Sequence, residues 1–266
     1  MNSSRPLIIG HRGASAVAPE NTLAAFARAL DEGADGVELD VRLARDGVPV
    51  VIHDATLRRT GLREGIVAEM TSAELGKIDV GSWFNRANPR LARPEYARQF
   101  IPTLDQVFLF FNEDPSREAT IYVEMKTDRA LQSSNELAHS VAQSINEFEF
   151  RSRVVVVSFN LNALAFIKQI DAGICTGALF EPRHTARKLM STRRMIASVI
   201  ERGADEILLH RLMATRNLVR CALENGIRPV VWTVDDSKWI RRANALGLHG
   251  VITNNPSKMA AAHGQA

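Results

Sequence analysis

Cysteine is scarce in this sequence, with only Cys175 and Cys221 among 266 residues. Neither residue belongs to a C-x-x-C pair, so the sequence predicts neither a disulfide framework nor a cysteine-ligated zinc site. We interpret both as small, buried, apolar side chains of a protein from a reducing compartment.

Long apolar runs are also absent. No run approaches the ~18 apolar residues that a membrane-spanning helix requires, and the apolar residues 6–10 are too few for the core of a secretory signal. We therefore expect a cytoplasmic protein with no stable membrane insertion.

Neither sign of charge dominates, since the formal net charge is only +3. A mild, scattered excess of cations suits a small anionic substrate and does not favour nucleic acid as a partner. The glycine-rich loops G-x-G-x-x-G and G-x-x-x-x-G-K-[ST] are missing, which weakens a nucleotide-binding interpretation.

Short apolar runs, in contrast, recur eight times, and amphipathic helical stretches separate most of them. The runs cover residues 7–10, 36–41, 121–125, 154–159, 174–180, 206–209, 229–234 and 250–253. Alternating strands and helices predict an α/β protein with a parallel sheet. Eight such units in this length fit a (β/α)8 TIM barrel best, and an open doubly wound sheet is the alternative.

The first helix is predicted at residues 21–30, where Leu23, Phe26 and Leu30 follow helical spacing. Asn21 is the predicted N-cap, and Gly33 is the predicted stop signal after the helix.

One interval, after residue 41, interrupts the alternation. Asp46-Gly47 is typical of a two-residue hairpin turn, so residues 50–53 are predicted to form a return strand outside the barrel. That turn would place Asp40 opposite His53. Residues 55–100 show no clear strand and are predicted to form a small insertion near the C-terminal mouth of the barrel. With no internal repeat or linker, residues 1–266 are predicted to form a single domain.

Two strands carry acidic side chains on one face. Glu38 and Asp40 share a face because side chains alternate along a strand, and two unpaired carboxylates are costly to bury. A divalent cation would relieve that cost, as would neighbouring arginines or lysines. Glu124 shares a face with Lys126, and these two form either part of the same site or an internal ion pair. Hard oxygen ligands of this kind suit Mg²⁺ or Ca²⁺ better than zinc.

His11 and Arg12 directly follow the first predicted strand, at the end where barrel active sites form. Arg12 is suited to binding phosphate oxygens with two parallel hydrogen bonds. A histidine after a strand is often structural, but the adjacent arginine and the glycine-containing loop favour a functional one. His53, if it lies beside Asp40, adds a second imidazole for acid–base chemistry.

Ten short motifs follow one another in a recognisable order. They are His11-Arg12-Gly13, Pro19-Glu20-Asn21-Thr22, residues 33–41, Val51-Ile52-His53-Asp54, Gly81-Ser82-Trp83-Phe84, Ile101-Pro102-Thr103-Leu104, Glu124-Met125-Lys126, Ser158-Phe159, Val231-Trp232-Thr233-Val234 and Gly250-Val251-Ile252-Thr253. This ordered set resembles the glycerophosphodiester phosphodiesterases over nearly the whole chain.

The resemblance implies a (β/α)8 barrel and a divalent metal, Mg²⁺ or Ca²⁺. It also implies hydrolysis of a small-molecule glycerophosphodiester to sn-glycerol 3-phosphate and an alcohol. The positions that match are the metal ligands Glu38, Asp40 and Glu124, the acid–base pair His11 and His53, and the substrate-binding residues Arg12, Lys126 and Trp232. For Trp232, simple packing within the barrel is the alternative.

The sequence departs from the family pattern at two places. The family's Thr-Asn-Gly after residue 60 is replaced by residues 61–65, which leaves head-group selectivity open. Thr253-Asn254 stands where many members have Thr-Asp, which alters hydrogen bonding without removing a predicted metal ligand. Two rival functions are a related barrel phospholipase acting on lipid head groups and a catalytically silent barrel that only binds. The sequence assigns no oligomeric state.

Overall fold

Eight parallel strands close into a barrel in the computed structural model, which describes residues 5–113, 118–127, 131–182 and 190–263. The barrel strands are β1 (Leu7–His11), β2 (Gly36–Leu43), β4 (Thr120–Met125), β5 (Val154–Ser158), β6 (Cys175–Phe180), β7 (Glu206–His210), β8 (Arg228–Trp232) and β9 (Gly250–Thr253); β3 (Pro49–Val51) lies outside it. Closure is direct, because β1 pairs with both β2 and β9. The predicted TIM barrel is confirmed.

Helices follow the strands and surround the barrel. They are α1 (Leu23–Asp31), α2 (Ser72–Leu75), α3 (Ser82–Ala87), α4 (Leu104–Asn112), α5 (Leu131–Glu147), α6 (Leu161–Ile170), α7 (Thr192–Glu201), α8 (Arg216–Glu224), α9 (Lys238–Leu246) and α10 (Pro256–His263). Among the described residues, none of these helices combines the length and the apolar character needed to cross a lipid bilayer.

The two faces of β2 contact different parts of the core. Val37, Leu39 and Val41 belong to the large apolar cluster between barrel and helices. A separate apolar cluster, which includes Ile9 and Tyr122, fills the barrel interior. Because strand side chains alternate, Glu38 and Asp40 share the inward face, and the sequence prediction that they share one face is confirmed.

The start of α1 differs from the prediction. Thr22, not Asn21, is the N-cap, since its hydroxyl accepts a hydrogen bond from the Ala25 amide at 3.2 Å. Asn21 has a left-handed backbone with φ 57°, and its side chain bonds to Asp40 instead. The predicted stop at Gly33 is consistent with its φ of 85° just beyond the helix.

The predicted hairpin exists, but the predicted strand register was wrong by one residue. Val41 pairs with Val51, and the Ala44 amide donates to the Val48 carbonyl at 3.0 Å, which closes a three-residue loop. Gly47 supplies the left-handed residue, φ 78°, that such a loop uses. Asp40 consequently lies opposite Ile52, with the Ile52 amide 2.9 Å from its carbonyl. His53 is therefore one residue beyond the position opposite Asp40, and the predicted pairing of Asp40 with His53 was wrong.

The region between β3 and α4 contains α2, α3 and two short 3₁₀ turns, Val67–Glu69 and Pro94–Tyr96. Several of its buried side chains form a small apolar cluster with the hairpin residues Val50 and Ile52, and Phe84 and Tyr96 form another with Ala18 and Ala25. These contacts hold the region beside the C-terminal ends of β1 and β2.

A polar cluster closes the opposite end of the barrel. Glu206 is 1% exposed and accepts hydrogen bonds from Tyr122 Oη and Arg228 Nε, each at 3.0 Å. Arg228 also contacts Cys175 Sγ at 2.9 Å, and burial raises the pKa of that thiol to about 12. Cys175 and Cys221 are free thiols, and both are only partly buried, which is less than the sequence predicted.

Candidate active site

A cavity of about 180 Å³ opens at the C-terminal end of the barrel strands. Its charged wall consists of His11, Arg12, Glu38, His53, Glu124 and Lys126. Its apolar wall consists of Val157, Phe159, Leu179, Leu208, Trp232 and Ile252, and Glu181 completes the lining. The structure thus brings the predicted residues together, with Asp40 fully buried behind them.

Three carboxylates lie close together at the charged wall of the cavity. Asp40 and Glu124 are register partners on β2 and β4, and Glu38 is two residues from Asp40 on β2. One oxygen from each carboxylate lies within 4.8 Å of the others. Burial and the nearby Asp40 charge raise the pKa of Glu38 to about 8, and burial raises that of Glu124 to about 7. Despite its burial, Asp40 keeps a pKa below the ordinary value because Lys126 and Arg12 are close.

Two cations lie against these carboxylates. Lys126 Nζ is 3.0 Å from Asp40 Oδ1 and 2.5 Å from Glu124 Oε1, while Arg12 Nε is 3.1 Å from Asp40 Oδ2. The Arg12 amide also donates to Glu38 Oε2 at 3.0 Å. Lys126 and Arg12 therefore neutralise part of the carboxylates' charge, which was one of the two interpretations of the sequence.

The carboxylates also fit a divalent cation. Asp40 Oδ1 is buried and has no hydrogen bond of proper geometry, since its contact with Lys126 is an ion pair without that alignment. A buried anionic oxygen without a hydrogen bond is costly. Three converging carboxylates are the hard oxygen donors that Mg²⁺ and Ca²⁺ take.

Each histidine is held at its Nδ1 atom, which leaves Nε2 for chemistry. His11 Nδ1 is 2.7 Å from Asn254 Oδ1, and His53 Nδ1 is 2.7 Å from Asp54 Oδ1. Burial lowers the pKa of both imidazoles, and the nearby Arg12 lowers both further. Both rings therefore favour the neutral form, in which a ring nitrogen accepts a proton.

Sequence reasoning assigned no site role to four residues that hold this site, Glu20, Asn21, Asp54 and Arg59. Asn21 Nδ2 donates to Asp40 Oδ2 at 2.8 Å, although its type suggested a helix cap. Glu20 accepts a hydrogen bond from Arg12 at 2.9 Å, and Arg59 donates to both Glu20 and Asp54. The motif Pro19-Glu20-Asn21-Thr22 was the available signal for Glu20 and Asn21.

Trp232 lies in the apolar wall of the cavity. Its indole Nε1 donates to the Leu208 carbonyl at 3.2 Å, and its ring meets Phe159 edge-on, with centroids 5.6 Å apart. These contacts fix the ring orientation, so the same side chain both packs in the barrel and lines the cavity.

Comparison with known proteins agrees with this geometry. The sequence model of the glycerophosphoryl diester phosphodiesterase family matches residues 11–258. A glycerophosphodiester phosphodiesterase of Caldanaerobacter subterraneus subsp. tengcongensis is 33% identical over 262 residues, covering 96% of each chain. One from Bacillus subtilis is 29% identical over 260 residues, which cover 96% of this chain and 86% of that protein.

A solved structure of a phosphodiesterase shares the fold. The Oleispira antarctica phosphodiesterase OLEI02445, in complex with the product sn-glycerol-3-phosphate, has a TM-score of 0.82 and 25% identity. The alignment covers 97% of this chain and 96% of that chain. The chain therefore belongs to the glycerophosphoryl diester phosphodiesterase family and is a phosphodiesterase, as the resemblance predicted.

Proposed function

We propose that this protein hydrolyses glycerophosphodiesters to sn-glycerol 3-phosphate and an alcohol, using a divalent cation and two histidines. The observation that carries the proposal is the meeting of three buried carboxylates and two imidazoles at one cavity beside Arg12 and Lys126. The product bound by the Oleispira antarctica relative supports the same substrate class.

Glu38, Asp40 and Glu124 are the residues that would hold Mg²⁺ or Ca²⁺. When bound there, the cation would supply positive charge to the phosphoryl oxygens as the transition state forms. The raised pKa values of Glu38 and Glu124 support this role, because burial and the neighbouring carboxylates both disfavour their charged forms, and a bound cation would offset both effects.

Arg12 and Lys126 are proposed to bind the phosphate group. Glu20 accepts from Arg12 NH1, and Asp40 lies beside Arg12 Nε, so the guanidinium is held in place at the cavity wall. Positive groups positioned in advance stabilise charge as it develops without reorganisation during the reaction. Trp232 and the apolar wall would exclude water from one side of the substrate.

The histidines would move the protons. His53 contacts a carboxylate, Asp54, whereas His11 contacts the neutral amide of Asn254. A carboxylate stabilises an imidazolium more than an amide does. We therefore propose that His53, once protonated, is the acid that protonates the departing alcohol. Neutral His11 is then the base that takes the proton of the attacking water or substrate hydroxyl. Each role is worth about 10²–10⁴-fold in rate.

Release of glycerol 3-phosphate from a series of glycerophosphodiesters, with and without chelator, tests the proposal. We expect turnover that is lost in EDTA and restored by Mg²⁺ or Ca²⁺, and near-total loss in His11→Ala and His53→Ala. His139→Ala, a change at an exposed histidine on α5, is the matched control and should keep wild-type turnover.

Other outcomes separate the rival functions. Full activity in EDTA would refute the metal, and turnover of intact phospholipids alone would favour the barrel phospholipase. No turnover of any diester would favour a silent binding protein. We also propose that residues 1–266 form one domain with an insertion at about 55–100, and that it acts in the cytoplasm on a small-molecule substrate.

A further inference from the structure

A chain of hydrogen bonds runs from the surface to His11 through Asn254. Asp235 Oδ2 accepts from Asn254 Nδ2 at 2.8 Å, and Asn254 Oδ1 lies 2.7 Å from His11 Nδ1. Asn254 follows β9 and Asp235 follows β8. The ends of these two adjacent strands therefore meet next to the end of β1, which carries His11. None of these contacts involves the carboxylates that would hold the cation.

The orientation of the Asn254 amide is determined by its neighbours. Its Nδ2 faces the Asp235 carboxylate, which only accepts, and its Oδ1 receives a second hydrogen bond from Ser15 Oγ at 3.0 Å. Rotating the amide by 180° would place its oxygen against the carboxylate. It would also cost the carboxylate a donor.

Asp235 is itself held in place. Its Oδ1 accepts from the backbone nitrogen of Asn254 at 2.8 Å and from Thr253 Oγ1 at 3.0 Å. Three donors from two consecutive residues therefore fix this carboxylate. Its position determines which end of the Asn254 side chain can face His11.

The tautomer of His11 follows from this arrangement. An amide oxygen only accepts, so His11 Nδ1 must carry the hydrogen, and in the neutral ring Nε2 then carries the lone pair. His11 Nε2 is the ring nitrogen on the side of Glu38, 3.9 Å from its carboxylate. The lone pair is thus available at the cavity before substrate binds.

We propose that Asp235 and Asn254 are positioning residues that together hold His11 in its Nδ1–H tautomer, ready to act as a base. The inference rests on the proposed function. In this chain the Asn254 amide and the Asp235 carboxylate behind it together orient His11, a task that a single carboxylate could perform. It gives the Asn254 departure from the family pattern a specific role.

The tautomer is measured directly by ¹⁵N NMR of protein with labelled histidine, with His11 signals identified from the His11→Ala spectrum. At a pH where the ring is neutral, we expect protonated Nδ1 and unprotonated Nε2 in the wild type. In Asn254→Leu, which removes the acceptor, the Nε2–H form should increase. An unchanged tautomer in a folded Asn254→Leu variant would overturn the proposal.

Kinetics of a residue exchange give the second test. Asn254→Asp alone places two carboxylates about 2.8 Å apart, and Asp235→Asn alone removes the oxygen pair that fixes the amide. Each should lower kcat about 10–100-fold with a nearly unchanged KM, the scale of groups that orient a functional side chain. The double variant Asn254→Asp/Asp235→Asn restores one carboxylate and one amide, so it should recover most of the lost kcat.

The matched control is Asp236→Asn, which removes a neighbouring carboxylate whose bond is to the Lys238 amide at 3.0 Å. It should keep wild-type kcat. Wild-type kcat in both folded single variants, or no recovery in the double variant, would refute the pairing. Failure of the proposed function is seen separately, as a wild-type protein that hydrolyses no glycerophosphodiester while its His11 tautomer remains measurable.

Discussion

Arg59 and Glu20 form an ion pair with two parallel hydrogen bonds, of 2.6 Å and 2.8 Å. The same guanidinium donates through Nε to Asp54 at 2.7 Å, and Asp54 holds His53. Since Glu20 also accepts from Arg12, one arginine between β3 and α4 orients both the proposed phosphate-binding residue Arg12 and the proposed acid–base residue His53.

Replacing Arg59 should therefore impair both functions at once. We expect Arg59→Ala to lower kcat/KM by about 10–100-fold, as for other groups that orient functional side chains. Steady-state kinetics with a glycerophosphodiester measures the effect. Arg58→Ala is the matched control, because Arg58 pairs with Glu64 on the exposed surface and should be dispensable. Equal kinetics in the two variants would contradict the role of Arg59.

Asn21 should support the metal site through Asp40. It both donates to Asp40 Oδ2 and accepts from the Asp40 amide at 3.2 Å. Asn21→Ala removes both bonds, and we expect the affinity for Mg²⁺ or Ca²⁺ to fall about 10–100-fold. Isothermal titration calorimetry measures this change. Asn217→Ala, at an exposed position on α8, should bind the metal like the wild type. An unchanged affinity in Asn21→Ala would show that Asp40 needs no such support.

Gly13 shapes the loop that carries Arg12. Its φ is 81°, and an added Cβ would lie 2.5 Å from the backbone of Ala25. Gly13→Ala should cost about 1–2 kcal/mol for the left-handed backbone and a further 1–3 kcal/mol or so for the overlap. Gly47→Ala has a similar φ of 78° with no atom within 4 Å, so only the first cost applies. Urea unfolding should rank the two variants in this order, and the opposite ranking would refute the steric argument.

The metal-free protein should lose stability as pH rises from 6.5 to 8. In this window the folded chain loses protons from Glu124 and then Glu38, whose pKa values are about 7 and 8, whereas both groups are already ionised when unfolded. The folded state thus binds more protons, so the free energy of unfolding falls with rising pH. The lowered pKa values of His11 and His53 act below about 6.5 and do not oppose this trend.

Added Mg²⁺ or Ca²⁺ should reverse that loss, because the cation competes with protons for the same oxygens. Thermal unfolding in EDTA and in excess metal, at several pH values in this window, measures both effects. The rise in Tm that metal causes should grow with pH. Glu38→Gln cannot ionise and should flatten the pH dependence in EDTA. A metal effect that shrinks as pH rises would contradict the proposed ligands.

The sequence predicted the barrel because its apolar runs and its two-residue periodicity are local signals. The same periodicity placed Glu38 and Asp40 on one common face of their strand. The hairpin register failed because Asp46-Gly47 suits both two- and three-residue loops, and the Ala44–Val48 bond selects the longer one. Such a choice depends on contacts that a short pattern does not contain.

The supporting residues were harder to predict for a related reason. Asn21 and Thr22 are both good helix caps by type, and only the distant partner Asp40 decides between them. Arg59 contacts Glu20 across 39 residues, and Asp235 contacts Asn254 across 19. These pairs meet because the fold brings together segments that follow different strands.

The two walls of the cavity come from different arcs of the barrel. The charged residues His11 to Lys126 belong to β1 through β4 and their loops, whereas the apolar side chains belong to β5 through β9. Mutations in the second arc can reshape the cavity while leaving the proposed metal ligands and histidines unchanged. The shape of the cavity and the proposed chemistry can thus vary independently in this fold.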